Sequence, residues 1–335
     1  MLILSFESSC DETSCAVCRF DGETSTVLSN IVASQISIHA LYGGVVPEIA
    51  SRAHIEAVSN IAYKAISEAR VSMAEIDAVA VTNTPGLIGA LLVCVSFAKG
   101  IAFTYKKPLI AVNHIRGHIA ANYYSTPAPK PPFTALVASG GHTSIVNVET
   151  YTRINTIGKT RDDAIGEAFD KVARKLNIPY PGGAEMDVLA SKGNPNAIPF
   201  PLGAIPDDTL DFSFSGLKTA VVNYLHREEQ NGNEINRCDV AASFTNSVCK
   251  SVIKKLSKAL EITGHSRLVL AGGVAANSHL RKALEELSLE KGIALFIPPK
   301  ALCGDNAAMI AAQAYHEFKA GNTADFNLNA YATKR

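Results

Sequence analysis

The fold is indicated by the opening stretch Leu2-Ile-Leu-Ser-Phe6, followed by Glu7-Ser-Ser-Cys-Asp-Glu-Thr13 and Ser14-Cys-Ala-Val-Cys18. Apolar residues dominate the first and last of these segments, so the pattern predicts a β-hairpin with a polar turn. Because the turn carries small hydroxyl residues, its backbone could close around an anionic group. The alternative is an ordinary hairpin with no ligand.

A second stretch of the same kind begins at Phe133, with strand 133–138, the turn Ser139-Gly-Gly141 and strand 142–148. Helical and strand patterns alternate after each hairpin, as they do in α/β domains. The expected helices are 47–70, 87–105, 163–176, 239–263, 278–291 and 307–319, and the expected strands are 76–82, 109–113, 267–271 and 294–298. We therefore expect two similar domains, residues 1–130 and 131–335, with an insertion rich in Pro and Gly around residues 177–215.

Length and composition limit the class of protein. A chain of 335 residues with 47% hydrophobic content can form two sizeable cores. The 31 basic and 31 acidic side chains cancel, so the net charge gives no attraction to nucleic acid or membrane, and a polyanion must meet a local patch or a partner. The seven scattered cysteines include no CxxC pair, which argues against a disulfide framework. With no signal-like start and no apolar run of spanning length, we expect a cytoplasmic protein.

Two histidines follow the expected strand 109–113 in the segment His114-Ile-Arg-Gly-His118. If a helix begins there, both imidazoles project from one face and can bind one metal ion. The zinc-peptidase pattern places a glutamate beside the first histidine as general base, but Ile115 follows His114 here. The segment predicts either a metal site without a base for peptide hydrolysis or two histidines that merely pack.

The two halves resemble the duplicated actin and Hsp70 (ASKHA) ATPase fold, an α/β fold of two domains with a central cleft. Within it, the ordered motifs resemble the TsaD family of tRNA threonylcarbamoyladenosine biosynthesis proteins, over essentially the whole chain. The motifs are Asp11-Glu-Thr-Ser14, Pro47-Glu-Ile-Ala-Ser-Arg-Ala-His54, Pro85-Gly-Leu-Ile-Gly-Ala-Leu-Leu92, Ser139-Gly-Gly-His-Thr143, Ser213-Phe-Ser-Gly-Leu-Lys-Thr219, Gly272-Gly-Val-Ala-Ala-Asn277 and Asp305-Asn-Ala-Ala-Met309. Bacterial members usually carry an acidic residue between the two histidines, where this chain has Arg116.

The resemblance implies transfer of threonylcarbamoyl from threonylcarbamoyl-adenylate to N6 of the adenosine beside the anticodon, in tRNAs that read codons beginning with A, with release of AMP. It implies one divalent metal per subunit, Fe²⁺ by preference and Zn²⁺ as the alternative, held by His114, His118 and Asp305. The implied partners are tRNA, the inactive paralogue TsaB and the small ATPase TsaE, with no membrane. A metallopeptidase and a non-enzymatic ATPase-fold regulator are the alternative functions.

The resemblance also implies the residues that contact the donor substrate, which are Val137, Ala138, Ser139, Gly140, Gly141, Asp170, Gly183, Asp187 and Asn277. Asp170 could instead be an exposed charge on a helix, and Asn277 could be a helix N-cap. Asp11 and Glu12 are the candidates for the base that takes the proton of the attacking amine. They could alternatively order water or cap the hairpin turn.

Overall fold

The computed structural model describes residues 1–22, 24–203, 205 and 208–333. Its strands are β1 Leu2–Glu7, β2 Glu12–Phe20, β3 Ser25–Ser34, β4 Ala78–Thr84, β5 Leu109–Asn113, β6 Phe133–Ala138, β7 Thr143–Val148, β8 Ile154–Lys159, β9 Arg267–Ala271 and β10 Ala294–Phe296. They form two five-stranded sheets, β3-β2-β1-β4-β5 and β10-β9-β6-β7-β8.

The helices cover these sheets and alternate with the strands after each hairpin. They are α1 Ile36–Ala40, α2 Pro47–Ala69, α3 Ile88–Thr104, α4 His114–Ala120, α5 Ile165–Lys175, α6 Gly183–Ala190, α7 Ser215–Gln230, α8 Arg237–Thr263, α9 Ser278–Lys291 and α10 Ala307–Lys319. Among the described residues, no helix combines the length and the apolar character that crossing a membrane requires.

The chain divides into two compact units. Unit 1 comprises residues 1–129, 150–153 and 298–335, and unit 2 comprises residues 130–149 and 154–297. This division differs from the expected one, because residues 298–335 belong to unit 1 and not to the second domain. The reason is that α10 packs on the first sheet, where Ser5 Oγ donates to the Ala307 carbonyl at 2.7 Å and the Ala307 amide donates to Ser14 Oγ at 2.9 Å.

The sheet of unit 1 is covered on both faces because neighbouring side chains of a strand point to opposite sides. Leu4 and Phe6 of β1 are buried in the core that α2 and α3 supply. Ser5, between them, faces α10. Each face therefore has its own helical layer, as expected for an α/β unit whose central strands are buried on both sides.

The sheet of unit 2 repeats the topology of the first. In unit 1, β1 pairs antiparallel with β2 and parallel with β4, and in unit 2, β6 pairs antiparallel with β7 and parallel with β9. In each half, the first strand of the opening hairpin thus pairs with its hairpin partner on one side and with a parallel strand on the other. The prediction of a duplicated hairpin-led α/β fold is confirmed.

Several elements were not expected from the sequence. These are the short helix α1, the outer strands β3 and β8, and helices α6 and α7. The expected insertion around 177–215 contains α6 and the beginning of α7, while residues 204, 206 and 207 lie outside the described residues. Strand β3 alternates buried, half-buried and exposed residues without a clean period, which explains why its sequence carries a weak strand signal.

Candidate metal centre and substrate loops

The two histidines of the 114–118 segment lie on α4, as the sequence predicted. Asn113 ends β5 and caps α4, because its side-chain oxygen accepts hydrogen bonds from the amides of Ile115 at 2.9 Å and Arg116 at 3.3 Å. His114 and His118 are then one helical turn apart, with ring centroids separated by 4.5 Å, and both are buried. A capped helix start thus fixes the backbone that carries both imidazoles.

Asp305 joins the histidines from the loop before α10. The next residue, Asn306, caps α10 by accepting from the Met309 amide at 3.0 Å. Asp305 Oδ1 lies 3.1 Å from His118 Nε2 and 3.6 Å from His114 Nε2. The three donor atoms lie within 4.8 Å of one another, so residues far apart in the chain converge at one point of unit 1.

The chemistry of these donors fits a metal ion. Both ring nitrogens of His118 are buried and have no hydrogen-bond partner among the described residues, although Nε2 lies beside Asp305. The nitrogen–oxygen separations suit atoms that each lie about 2 Å from one ion. Two imidazoles and one carboxylate leave coordination positions open, as in non-haem iron and catalytic zinc sites. The three residues could hold a metal, but they do not determine which metal.

Two buried polar residues of unit 1 were not among the predicted site residues. Glu7, which is fully buried, lies 3.1 Å from His114 Nδ1 through its Oε2 atom. His54 of α2 holds the first hairpin turn, because its Nε2 donates to the Cys10 carbonyl at 3.0 Å and its Nδ1 contacts Thr13 Oγ1 at 2.7 Å. The sequence signal for Glu7 was its place directly after the apolar run of the first strand.

The carboxylates of the first hairpin turn lie in the electrostatic field of the same centre. Burial raises the pKa of Glu12 to about 9, and the negative charges of Asp305 and Asp11 add to this effect. Ser34 Oγ donates to Glu12 Oε1 at 3.3 Å. Without a cation, Glu12 is therefore a neutral carboxylic acid at pH 7. A dication nearby would favour its ionised form.

The predicted substrate loop of unit 2 is an open glycine turn at the end of β6. Val137 and Ala138 are fully buried strand residues, so only their backbone is available to a ligand. Ser139 closes the turn by accepting the His142 amide on its Oγ at 3.2 Å. A Cβ atom added at Gly140 or Gly141 would meet no atom within 4 Å, so the turn leaves space for a ligand to approach its backbone.

Asp170 and Gly183 lie on either side of the segment between α5 and α6. Asp170 is half-buried, and its Oδ1 accepts from the Gly182 amide at 2.8 Å, so it is not a freely exposed helix charge. Gly183 is the first residue of α6 and has open space where a side chain would be. The structure thus brings these two predicted residues close to one segment of unit 2.

Asp187 and Asn277 meet at the N-terminus of α9. Asn277 caps the helix through a 2.9 Å hydrogen bond from the Leu280 amide, which is the alternative role that the sequence allowed. Asp187 accepts from the Ser278 amide at 3.0 Å and from His279 Nδ1 at 2.9 Å. Burial alone would raise the pKa of Asp187, but these hydrogen bonds lower it overall. His279 is a polar neighbour that the sequence motifs did not single out.

Comparison with known proteins gives a family for this arrangement. The family model described as "TsaD: tRNA N6-adenosine threonylcarbamoyltransferase" matches residues 26–312. A protein of that name from Clostridium botulinum strain 657 is 53% identical over 328 residues, covering 98% of this chain and 96% of the relative. The Clostridium beijerinckii protein of the same name is 52% identical over 329 residues, with the same coverage.

The chain belongs to the TsaD family. The family predicted from the ordered motifs is confirmed, and so is its class, a transferase of tRNA modification.

Solved structures place this chain in a wider fold group. HypF from T. kodakarensis superposes with a TM-score of 0.65 at 14% identity, covering 98% of this chain and 49% of HypF. Component A of (R)-2-hydroxyglutaryl-CoA dehydratase from Acidaminococcus fermentans superposes with a TM-score of 0.56 at 16% identity, covering 95% of this chain and 98% of component A. At these identities the similarity concerns the fold alone, and it confirms the predicted ASKHA class.

Proposed function

We propose that this chain transfers the threonylcarbamoyl group from threonylcarbamoyl-adenylate to N6 of the adenosine beside the anticodon, in tRNAs that read codons beginning with A, and releases AMP. The convergence of His114, His118 and Asp305 carries this proposal within the TsaD family. A non-enzymatic regulator would not need this convergence. A metallopeptidase would need a base beside His114, where Ile115 stands.

His114, His118 and Asp305 would hold one divalent metal, for which we favour Fe²⁺ over Zn²⁺. When bound, the metal would supply a Lewis acid for the carbamoyl oxygen and a charge that orients the threonyl carboxylate. The residues present suit this role because two buried imidazoles and one carboxylate leave room for substrate atoms.

On unit 2, we propose that the backbone of Val137, Ala138, Ser139, Gly140 and Gly141 binds the phosphate and carbamoyl part of the donor. The open space beside Gly140 and Gly141 supports this, because a bare backbone can approach an anion closely. Asp170, Gly183 and Asp187 would contact the ribose, and Asn277 would approach the adenylate. The two carboxylates can accept ribose hydroxyl hydrogens, although each already accepts a backbone amide.

The amine of adenosine attacks the carbamoyl carbon, so a C–N bond forms and the bond to the phosphate oxygen of AMP breaks. AMP leaves with that electron pair, and the N6 proton must go to a base. We propose Glu12 as this base, with Asp11 beside it. A dication held beside Glu12 would favour its ionised form, which is the form that accepts a proton, and the charges of Asp305 and Asp11 raise the basicity of that carboxylate.

We propose TsaB and TsaE as protein partners. Support comes from exposed apolar side chains on unit 1, since large exposed apolar groups are typical of protein contacts. On α2 these are Ile55 and Tyr63, and on α3 they are Ile88 and Leu92.

The test is nucleoside mass spectrometry of total tRNA from cells depleted of this protein and supplied with variants. We expect threonylcarbamoyladenosine to disappear on depletion and to return with the wild type. His114→Ala and Asp305→Ala should restore less than about a tenth of it, because a metal site that loses one ligand is disabled. The matched control is His226→Ala, since His226 is exposed on α7. Unchanged modification on depletion would refute the transferase proposal.

A further inference from the structure

Three parallel strands of unit 1 lie side by side, and each is associated with a polar residue at or near its carboxyl end. Strand β1 pairs with β4 in a register that sets Phe6 opposite Val81, and β4 pairs with β5. Glu7 and Thr82, the next residue of each strand, therefore lie side by side, and His114 is the first residue after β5. The carboxyl ends of parallel strands are where α/β folds place binding groups.

Glu7 is held rigidly at this edge. Its side chain is fully buried, its Oε1 accepts from the Ser9 amide at 2.6 Å, and its Oε2 accepts from the Thr82 hydroxyl. A hydroxyl and an amide both donate here, so the two oxygens act as acceptors, which is the behaviour of an ionised carboxylate. The remaining neighbour of Oε2 is His114 Nδ1, at 3.1 Å.

This contact determines what the other side of the imidazole can do. An acceptor at Nδ1 favours a proton on that nitrogen, which leaves the Nε2 lone pair free for a metal. Nε2 is the atom of His114 that lies 3.6 Å from Asp305 Oδ1. Ser9 Oγ also lies 3.1 Å from Nδ1, and its hydroxyl can accept a second, weaker contact. By contrast, Nδ1 of His118 has no hydrogen-bond partner among the described residues.

We propose that Glu7 is a positioning residue that fixes the tautomer and ring orientation of His114 for metal binding, with Thr82 holding the Glu7 carboxylate in place. The inference rests on the proposed metal site. It distinguishes the two histidines, because Nδ1 of His114 contacts a buried carboxylate, whereas Nδ1 of His118 has no such partner in the described part of the chain. Partners of this kind typically change metal affinity by about 10- to 100-fold when they are replaced.

The test measures metal binding by the purified full chain, independently of tRNA modification. Zn²⁺ affinity is obtained by competition with a chelator, and the visible absorption of bound Co²⁺ reports the ligand geometry. We expect Glu7→Gln to bind Zn²⁺ about 10- to 100-fold more weakly than the wild type and to change the Co²⁺ spectrum. Thr82→Val should weaken binding in the same direction by a smaller factor. Glu56→Gln, an exposed glutamate on α2, is the matched control and should leave both unchanged.

Circular dichroism at the assay temperature shows which variants are folded. If folded Glu7→Gln binds Zn²⁺ as tightly as the wild type with the same Co²⁺ spectrum, Glu7 has only a structural role and the inference is wrong. If Glu7→Gln does not fold, an unchanged affinity in Thr82→Val overturns the inference instead. A wild-type chain that binds neither ion would refute the proposed metal site itself, which is a separate result.

Discussion

At the scale of single residues, Arg116 has a role that its position between two histidines does not reveal. Its Nη1 donates to the Thr152 carbonyl at 3.1 Å and to Glu317 Oε1 at 3.2 Å. The buried Glu317 also accepts from Gln313 at 2.8 Å and from Asn322 at 2.7 Å. A buried carboxylate needs a positive partner, and Arg116 supplies one to Glu317 of α10. The basic residue at position 116, where the family usually has an acidic one, therefore has an acidic partner in this structure.

His316 is a second residue whose environment, and not its position in the sequence, determines its behaviour. Its ring stacks on Tyr151 at 3.7 Å between centroids, with Tyr123 and Tyr315 edge-on to it. Burial lowers the pKa of His316 to about 4. The folded protein therefore prefers the neutral ring, while in the unfolded chain the ring takes up a proton near pH 6.5.

This depressed pKa predicts a loss of stability in mild acid. The contribution of the neutral His316 ring to the free energy of unfolding is fully present above about pH 6.5. It is lost as the pH falls toward 4, because the unfolded state then binds more protons than the folded state. Between pH 7 and pH 5 we expect the wild type to lose about 1 kcal/mol more unfolding free energy than His316→Phe, after allowing for the partly exposed ring. Urea unfolding at both pH values measures this, and equal losses in the two proteins would contradict it.

At the scale of elements, the turn between β9 and α9 depends on a close backbone approach at Gly272. This residue has a φ of +93°, and a Cβ atom there would lie 2.3 Å from the Ala138 carbonyl oxygen of β6. Its neighbour Gly273 has no atom within 4 Å of a built Cβ. Glycine is therefore required by the packing at position 272, whereas position 273 has space for a side chain.

We expect Gly272→Ala to lower the unfolding free energy by about 2 to 4 kcal/mol, since it adds backbone strain and a steric clash. Gly273→Ala, the matched control, should change it by less than about 0.5 kcal/mol. Urea denaturation of both variants gives the comparison. Similar losses of unfolding free energy at the two positions would show that the close approach to Ala138 is not the reason why Gly272 is needed.

At the scale of the whole molecule, unit 1 is completed by the end of the chain. Residues 298–335 supply Asp305 and α10, which packs against the first sheet and against α4. Unit 2 comprises residues 130–149 and 154–297, so it includes no residue of this segment. The chain therefore leaves unit 1, forms unit 2, and returns.

A chain that ends at Ile297 should consequently lose unit 1 and keep unit 2. We expect its metal binding to vanish and residues 1–129 to become sensitive to protease, because one face of their sheet loses its apolar cover. Residues 130–297 should remain as a resistant fragment. Limited proteolysis with mass spectrometry checks this against the full chain. A truncated protein whose N-terminal 129 residues resist protease as they do in the full chain would contradict it.

The regular elements with a clear apolar period could be predicted from the sequence. Strand Leu109–Asn113 and helices Ser278–Lys291 and Ala307–Lys319 agree with their expected bounds. Elements with a weak apolar pattern were missed. Helix α7 is an example, because it buries only a narrow stripe of side chains. Sequence motifs indicated all the candidate ligands, but Asp305 was connected to the histidines only by family resemblance.

The sequence by itself determined the family, the repeated hairpins and the spacing that puts His114 and His118 on one face of a helix, because these depend on local pattern and ordered motifs. Tertiary structure decided which unit contains Asp305, that Glu7 contacts His114, and that burial raises the pKa of Glu12. Such contacts join residues far apart in the chain, and a pKa depends on the charges and burial around a group. Neither is encoded in local sequence.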